Sequence, residues 1–262
     1  MSDLSLIKEL REKTGAGFLD CKNALSENDN NIEQSIDSLR KKGLAKASKK
    51  SSREANEGAV GFYANENISV ILKINSETDF SAKSDTFLDF LDFIGNIALN
   101  TNNINLNLND FLKVEDNGKS ISNLLTEMIA KIGENLIIND LKVYDNKEAK
   151  VNFYIHNPYR KNIGKIVSAI FYSSDEESEN VKTFSKNLCM HIAASKPEAM
   201  DIDMLPVELI DNEKKIQEEI IRDSGKPSNV MEKILEGKMK KFYSEVTLLN
   251  QNFVIDTDKT VK

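Results

Sequence analysis

The sequence predicts an α+β protein built in parts, and three observations carry the prediction. The first 43 residues show helical periodicity and no strand pattern. Two later stretches each place a helical stripe behind a pair of β-like runs, and residues 206–243 carry two narrow helical seams around a stop. A length of 262 residues suits about two domains of ordinary size. With 40% hydrophobic and 29% charged residues, a packed core is expected and wholesale disorder is not. The expected divisions are residues 1–53, 54–139, 140–205, 206–243 and a C-terminal 244–262.

Residues 3–43 read as three short helices. Asp3 is placed to cap the first, with Leu4, Ile7 and Leu10 on one face. Thr14-Gly15-Ala16-Gly17 breaks it, because two glycines admit backbone angles other residues resist. The second helix carries Phe18, Cys21 and Leu25. The third opens at Asn30 with Glu33 as a capping-box partner, buries Ile32, Ile36 and Leu39, and stops at Gly43. So few residues bury little surface, and the module is expected to be weak alone. Behind it, residues 40–53 hold seven Lys or Arg and no acid. Such a run is more often a solvated helix end and linker than a nucleic-acid footprint, and no aromatic interleaves it for stacking.

Residues 60–64, the turn Asn65-Glu66-Asn67 and residues 68–75 form a hairpin. The helix behind it lines up Phe87, Phe90, Leu91, Ile94, Ile97 and Ala98. Residues 101–119 look loop-like, and 120–133 helical. The scheme then repeats: strands over 151–155 and 163–173 flank a longer loop through Asn157-Pro158, and a helix follows with Val181, Phe184, Leu188 and Ile192 on one side. Last come a stripe of Leu209, Ile216 and Ile220, a stop at Ser224-Gly225-Lys226-Pro227, and a stripe of Met231, Leu235, Met239 and Phe242. These make an antiparallel helical hairpin that is expected to protrude.

Chemistry is sparse. His156 and His191 share no metal-ligand or triad spacing with Cys21 or Cys189, and no glycine-rich phosphate loop is present. Nothing in the pattern argues for an enzyme, and no cofactor or metal is expected. No apolar run approaches the ~20 residues that span a bilayer, so no membrane partner is expected. No signal peptide precedes the first helix, and two distant cysteines suit a reducing, cytosolic compartment. The residues alone indicate a binding protein. Thr78-Asp79-Phe80, at a strand-to-helix corner, then has two readings. Asp79 answers the helix dipole while Phe80 anchors the turn to the sheet, or Phe80 is a wedge meant for another protein.

Several stretches resemble the bacterial elongation factor Ts family: TGAGFLDCKNAL (14–25), TDFSAK (78–83), KIGENL (131–136), MHIAASKPEAM (190–200), SGKP (224–227) and EGKMKKFYSEVTLLNQNFV (236–254). They occur in that family's order from residue 4 to about 261, and jointly they are far more specific than any one of them. The resemblance implies an N-terminal three-helix module of ubiquitin-associated type, a core of two α+β subdomains and a protruding helical hairpin. It implies a cytoplasmic guanine-nucleotide exchange factor for elongation factor Tu. In the family the Thr-Asp-Phe corner approaches that partner's nucleotide-binding domain near its magnesium site. By position, Thr78, Asp79, Phe80 and Ser81 are then the exchange wedge. Phe18, Leu19 and Lys22 fall on a second contact, where the family commonly has methionines in place of Phe18 and Leu19; alternatively Phe18 belongs to the module's own core. His156 aligns with a histidine that faces the partner's other domain, and His191 is read as structural. No direct nucleic-acid contact is expected. The helical hairpin forms a homodimer or meets the partner, and the sequence does not choose.

Family members continue past Lys259-Thr260-Val261 with a helix, a strand and a tail. A shortened second subdomain with an open sheet edge, and weaker stability or binding, is therefore expected here. Two other functions fit part of the sequence. One is a nucleic-acid accessory factor acting through residues 40–53, whose binding would collapse with salt. The other is a scaffold without exchange activity, whose partner binding would survive loss of everything after about residue 55.

Overall fold

The computed structural model describes residues 4–175, 178–222 and 228–262, apart from the side chains of residues 44, 46 and 228–230. Helices and antiparallel strands alternate along the chain, as an α+β protein requires. It divides into two compact units, Met1–Ala149 with Ile155–Val167, and Lys150–Tyr154 with Ser168–Lys262.

The first unit opens with α1 (Leu4–Thr14), α2 (Phe18–Glu27) and α3 (Ile32–Lys50) around a small core of Ile7, Leu10, Cys21, Ala24 and Leu25. The expected cap at Asp3 lies outside the described residues. The cap of α3 falls one residue later than predicted: Asn31 accepts the Gln34 N–H, and Asn30 takes a left-handed turn with φ 61°. A larger difference follows. The helix does not stop at Gly43 but runs to Lys50, so most of the expected basic linker is helical. Glycine inside a helix costs about 1 kcal/mol relative to alanine, yet here it meets α7 (Ile121–Ile132). A Cβ at position 43 would stand 3.1 Å from that of Ala130. The cations are partly engaged inside the fold, since Lys42 pairs with Glu27 at 2.7 Å and Lys50 Nζ reaches the Gly133 carbonyl.

Strands β1 (Glu57–Ala64) and β2 (Ile68–Ser76) form the predicted hairpin, with Asn65 Oδ1 accepting the N–H of Asn67 and of Ile68. After the one-turn α4 (Asp79–Ala82), α5 (Asp85–Asn100) buries Phe87, Phe90, Leu91, Ile94 and Ala98, as its period predicts. The loop-like stretch 101–119 contains α6 (Leu108–Phe111) and the small hairpin β3 (Glu115–Asp116) and β4 (Lys119–Ser120). Leu106 and Phe111 there join the core, two anchors hidden in an Asn-rich composition. β5 (Leu136–Asp145) follows α7 and pairs with β2. With β6 (Lys150–Arg160) and β7 (Ile163–Tyr172) the strand order is β5-β2-β1-β7-β6. The expected loop through Asn157-Pro158 lies inside β6. A proline is tolerated in a strand at the end of the sheet order, and Asn157 absorbs the irregularity at φ 48°.

In the second unit, α8 (Glu179–Ser195) turns a different face inward from the one expected. Ser185, Cys189 and His191 are buried, whereas Phe184 is half exposed and rests against Phe253 with ring centroids 5.9 Å apart. Small polar side chains sit innermost because Asn152 serves them. Its Nδ2 donates to Ser185 Oγ at 2.8 Å, and its carbonyl accepts from Cys189 Sγ at 3.4 Å. His191 is structural, as read: Nδ1 accepts the Val254 N–H, so Nε2 carries the proton donated to Gln251 Oε1 at 2.9 Å. α9 (Val207–Arg222) and α10 (Ser228–Val246) form the helical hairpin, with Ile221 and Met239 buried. Ile216 and Ile220, expected on the seam, are exposed. The stop at 224–227 lies outside the described residues. Strands β8 (Asn252–Phe253) and β9 (Asp256–Thr260) complete the unit.

Burial pushes the Cys189 thiol up to about 11 from 9.0. A raised thiol pKa means that the folded state holds its proton more tightly than the unfolded chain. Its contribution to stability is complete below pH 9 and is lost as the pH rises through about 11. In the native protein at pH 8, Cys189 is accordingly expected to resist iodoacetamide, with alkylation appearing only on unfolding or well above pH 9; rapid labelling at pH 8 would contradict its burial.

Candidate functional site

The corner between β2 and α4 is fixed from several sides. Thr78 is the N-cap of α4, and its Oγ1 accepts the Ser81 N–H at 3.2 Å. The same hydroxyl donates to Glu134 Oε1 at 2.7 Å, while the Thr78 N–H donates to Glu134 Oε2 at 3.0 Å. Its carbonyl accepts from the buried Ser76 hydroxyl at 2.9 Å. Next to it, Glu77 Oε1 accepts the Asn135 N–H at 2.6 Å, and Glu77 Oε2 faces Arg53 at 3.4 Å. Asn135, itself buried, donates to the Arg53 carbonyl at 2.7 Å.

From this anchored corner Phe80 points outward with 84% of its surface exposed. Ser81 and Ala82, the next two residues, are buried. The anchoring role considered for Phe80 is therefore excluded, because the residues that hold the turn are Thr78, Ser81 and Ala82. Of the four residues assigned to the wedge, Asp79 and Phe80 face outward, Thr78 spends its polar groups inward, and Ser81 lies beneath. Asp79 pairs with Lys83 at 2.8 Å, and that hydrogen bond holds its carboxyl below the usual carboxylate range. The same bond raises the Lys83 ammonium, whose Nζ lies 6.0 Å from the Tyr159 ring centroid. An exposed pair of this kind contributes little to stability, but it keeps a negative charge beside the aromatic.

The other assigned residues lie in the same unit. Phe18 and Leu19, in the first turn of α2, are 47% and 66% exposed, so the module's core contains no aromatic and Phe18 belongs to its surface. Lys22 is exposed one turn on, and His156 is exposed on β6. Glu77, Glu134 and Asn135 were not legible as site residues. KIGENL is recognisable as a motif, but nothing in the sequence ties Glu134 to Thr78, 56 positions away. Among the described residues, no group of three or more His, Cys, Asp or Glu is placed to hold a metal ion, and no helix is long and apolar enough to cross a membrane.

An α+β fold that presents a bare aromatic ring and a charge on a fixed corner offers a contact surface for another macromolecule. Residues 77–262 match the family described as Elongation factor TS. The chain is 40% identical over 257 residues to elongation factor Ts of Allorhizobium ampelinum, covering 98% of this chain and 83% of that protein. It is 40% identical over 261 residues to elongation factor Ts of Ehrlichia ruminantium, covering 99% and 90%. For Rickettsia bellii elongation factor Ts the identity is 39% over 258 residues, covering 97% and 82%. These relatives define the class, the nucleotide exchange factors of translation elongation. The chain belongs to the elongation factor Ts family, whose partner is elongation factor Tu.

Proposed function

We propose that this chain binds elongation factor Tu in its GDP form, intrudes Phe80 beside the partner's magnesium and phosphate site, and so promotes GDP release in the bacterial cytoplasm. The observation that carries the reading is the exposure of Phe80 on a corner that Thr78 fixes by hydrogen bonds and that the buried Ser81 and Ala82 hold from beneath. Leaving an aromatic ring in water wastes about 2–3 kcal/mol of burial. If the partner covers that ring only when GDP and magnesium have gone, linkage requires GDP to bind more weakly by the same factor, roughly 30- to 150-fold. Magnesium is the largest local charge holding the phosphates, so disturbing it is the effective point of attack. No bond is made or broken, and the chain acts as a binding factor rather than an enzyme. Phe18, Leu19, Lys22 and His156 extend the contact.

The test follows a fluorescent GDP prebound to elongation factor Tu after mixing with this chain in excess unlabelled GDP. Release is expected to accelerate with chain concentration and then to saturate. Tight binding without acceleration would overturn the exchange reading in favour of a scaffold.

A further inference from the structure

The corner that carries Phe80 is locked to a second corner by an exchange of carboxylates. Each turn has one glutamate, and each glutamate accepts the backbone N–H of the other turn. Glu134 takes the Thr78 N–H and hydroxyl, and Glu77 takes the Asn135 N–H. The geometry that permits this starts at Gly133, the left-handed C-cap of α7 at φ 87°, which turns the chain so that Glu134 faces Thr78. A threonine hydroxyl has one proton. Here it goes to Glu134, which leaves a lone pair free for the Ser81 N–H and so orients the first turn of α4. The residue immediately before Asp79-Phe80 thus has its N–H, hydroxyl and carbonyl all committed. A short helix of four residues has little cooperativity of its own to hold its start.

Resting on the exchange reading above, we infer that Glu134 is a positioning residue: by gripping Thr78 it pre-orients Phe80, so that partner binding need not first order the corner. Ordering a side chain or loop at an interface is a direct loss of affinity for the state that needs it, and pre-orientation removes that loss. The effect belongs to the step in which Phe80 intrudes, not to first contact.

The test is a cycle of Glu134→Gln and Phe80→Ala, singly and together, in GDP release from elongation factor Tu at saturating chain. Glutamine keeps the shape, but only its oxygen accepts: with that oxygen on the Thr78 N–H, its NH₂ faces the Thr78 hydroxyl, whose proton must turn away, so the charge-assisted bond from the hydroxyl to the carboxylate is lost. Glu134→Gln is expected to slow release at saturation by about fivefold, from the loss of one charge-assisted bond at a half-exposed site. The concentration giving half-maximal rate should change less. In the Phe80→Ala background the same substitution should have no further effect, which a merely structural role would not produce. Glu77→Gln, on the opposite half of the clasp, should act in the same direction and provides a second readout if Glu134→Gln folds poorly. Phe80→Ala slow with Glu134→Gln at the parent's rate, or effects that multiply in the double variant, would overturn the positioning role alone. Phe80→Ala at the parent's rate would overturn the exchange reading and this inference with it.

Discussion

Gly95→Ala is expected to destabilise the first unit by about 2–4 kcal/mol, although alanine is the better helix former by about 1 kcal/mol. The cause is Tyr63. Its ring lies in the core, and its hydroxyl donates to the Leu91 carbonyl at 3.0 Å. A Cβ built on Gly95 would fall on the ring carbons Cε2 and Cζ, and one built on Gly61 would also meet that ring. Tyr63 is therefore held flat between a strand glycine and a helix glycine, and it cannot retreat without losing its hydrogen bond. Burial also pushes the Tyr63 phenol far up, so the hydroxyl remains a donor at every accessible pH. Chemical denaturation should show the loss. Adding Tyr63→Leu to Gly95→Ala should return part of it, because the smaller side chain vacates the space, whereas two additive losses would contradict the clash.

Phe80→Ala is expected to do the reverse: little to stability and much to function. A side chain 84% exposed contributes almost no burial to the folded chain, so the melting temperature should stay within a degree or two of the parent. The acceleration of GDP release should fall by a factor corresponding to about 2 kcal/mol or more, the range of an interface hot spot. Such a separation of stability from activity distinguishes a residue held ready for a partner from one that holds the fold. Phe80→Leu should keep part of the effect, since it retains apolar bulk.

The fold was legible where a single periodicity decided it. The stripe on α5 and the β1–β2 turn follow from the spacing of Phe87, Phe90, Leu91 and Ile94 and from Asn65-Glu66-Asn67, and both are as read. Errors arose where a local signal was outweighed by tertiary contact. Gly43 reads as a stop but serves the approach of α7, Pro158 reads as a loop but sits in a strand at the end of the sheet order, and the stripe of Val181, Phe184, Leu188 and Ile192 reads as the inner face of α8 although Ser185 and Cys189 face inward, where Asn152 bonds them. The site was legible only in part. Thr78-Asp79-Phe80 stood out as a strand-to-helix corner with two readings, and burial removes the anchoring one by leaving Phe80 in solvent. The partners of Thr78 come from the distant KIGENL stretch, and no local pattern announces a contact across 56 positions.

The central claim is that the ring of Phe80 drives GDP from elongation factor Tu. Its most direct test is stopped-flow release of fluorescent GDP with saturating parent chain beside saturating Phe80→Ala, each confirmed as folded and as bound to the partner. The account predicts that both bind and that only the parent gives fast release. Equal release by the two would contradict it and move the site of action to another part of the contact.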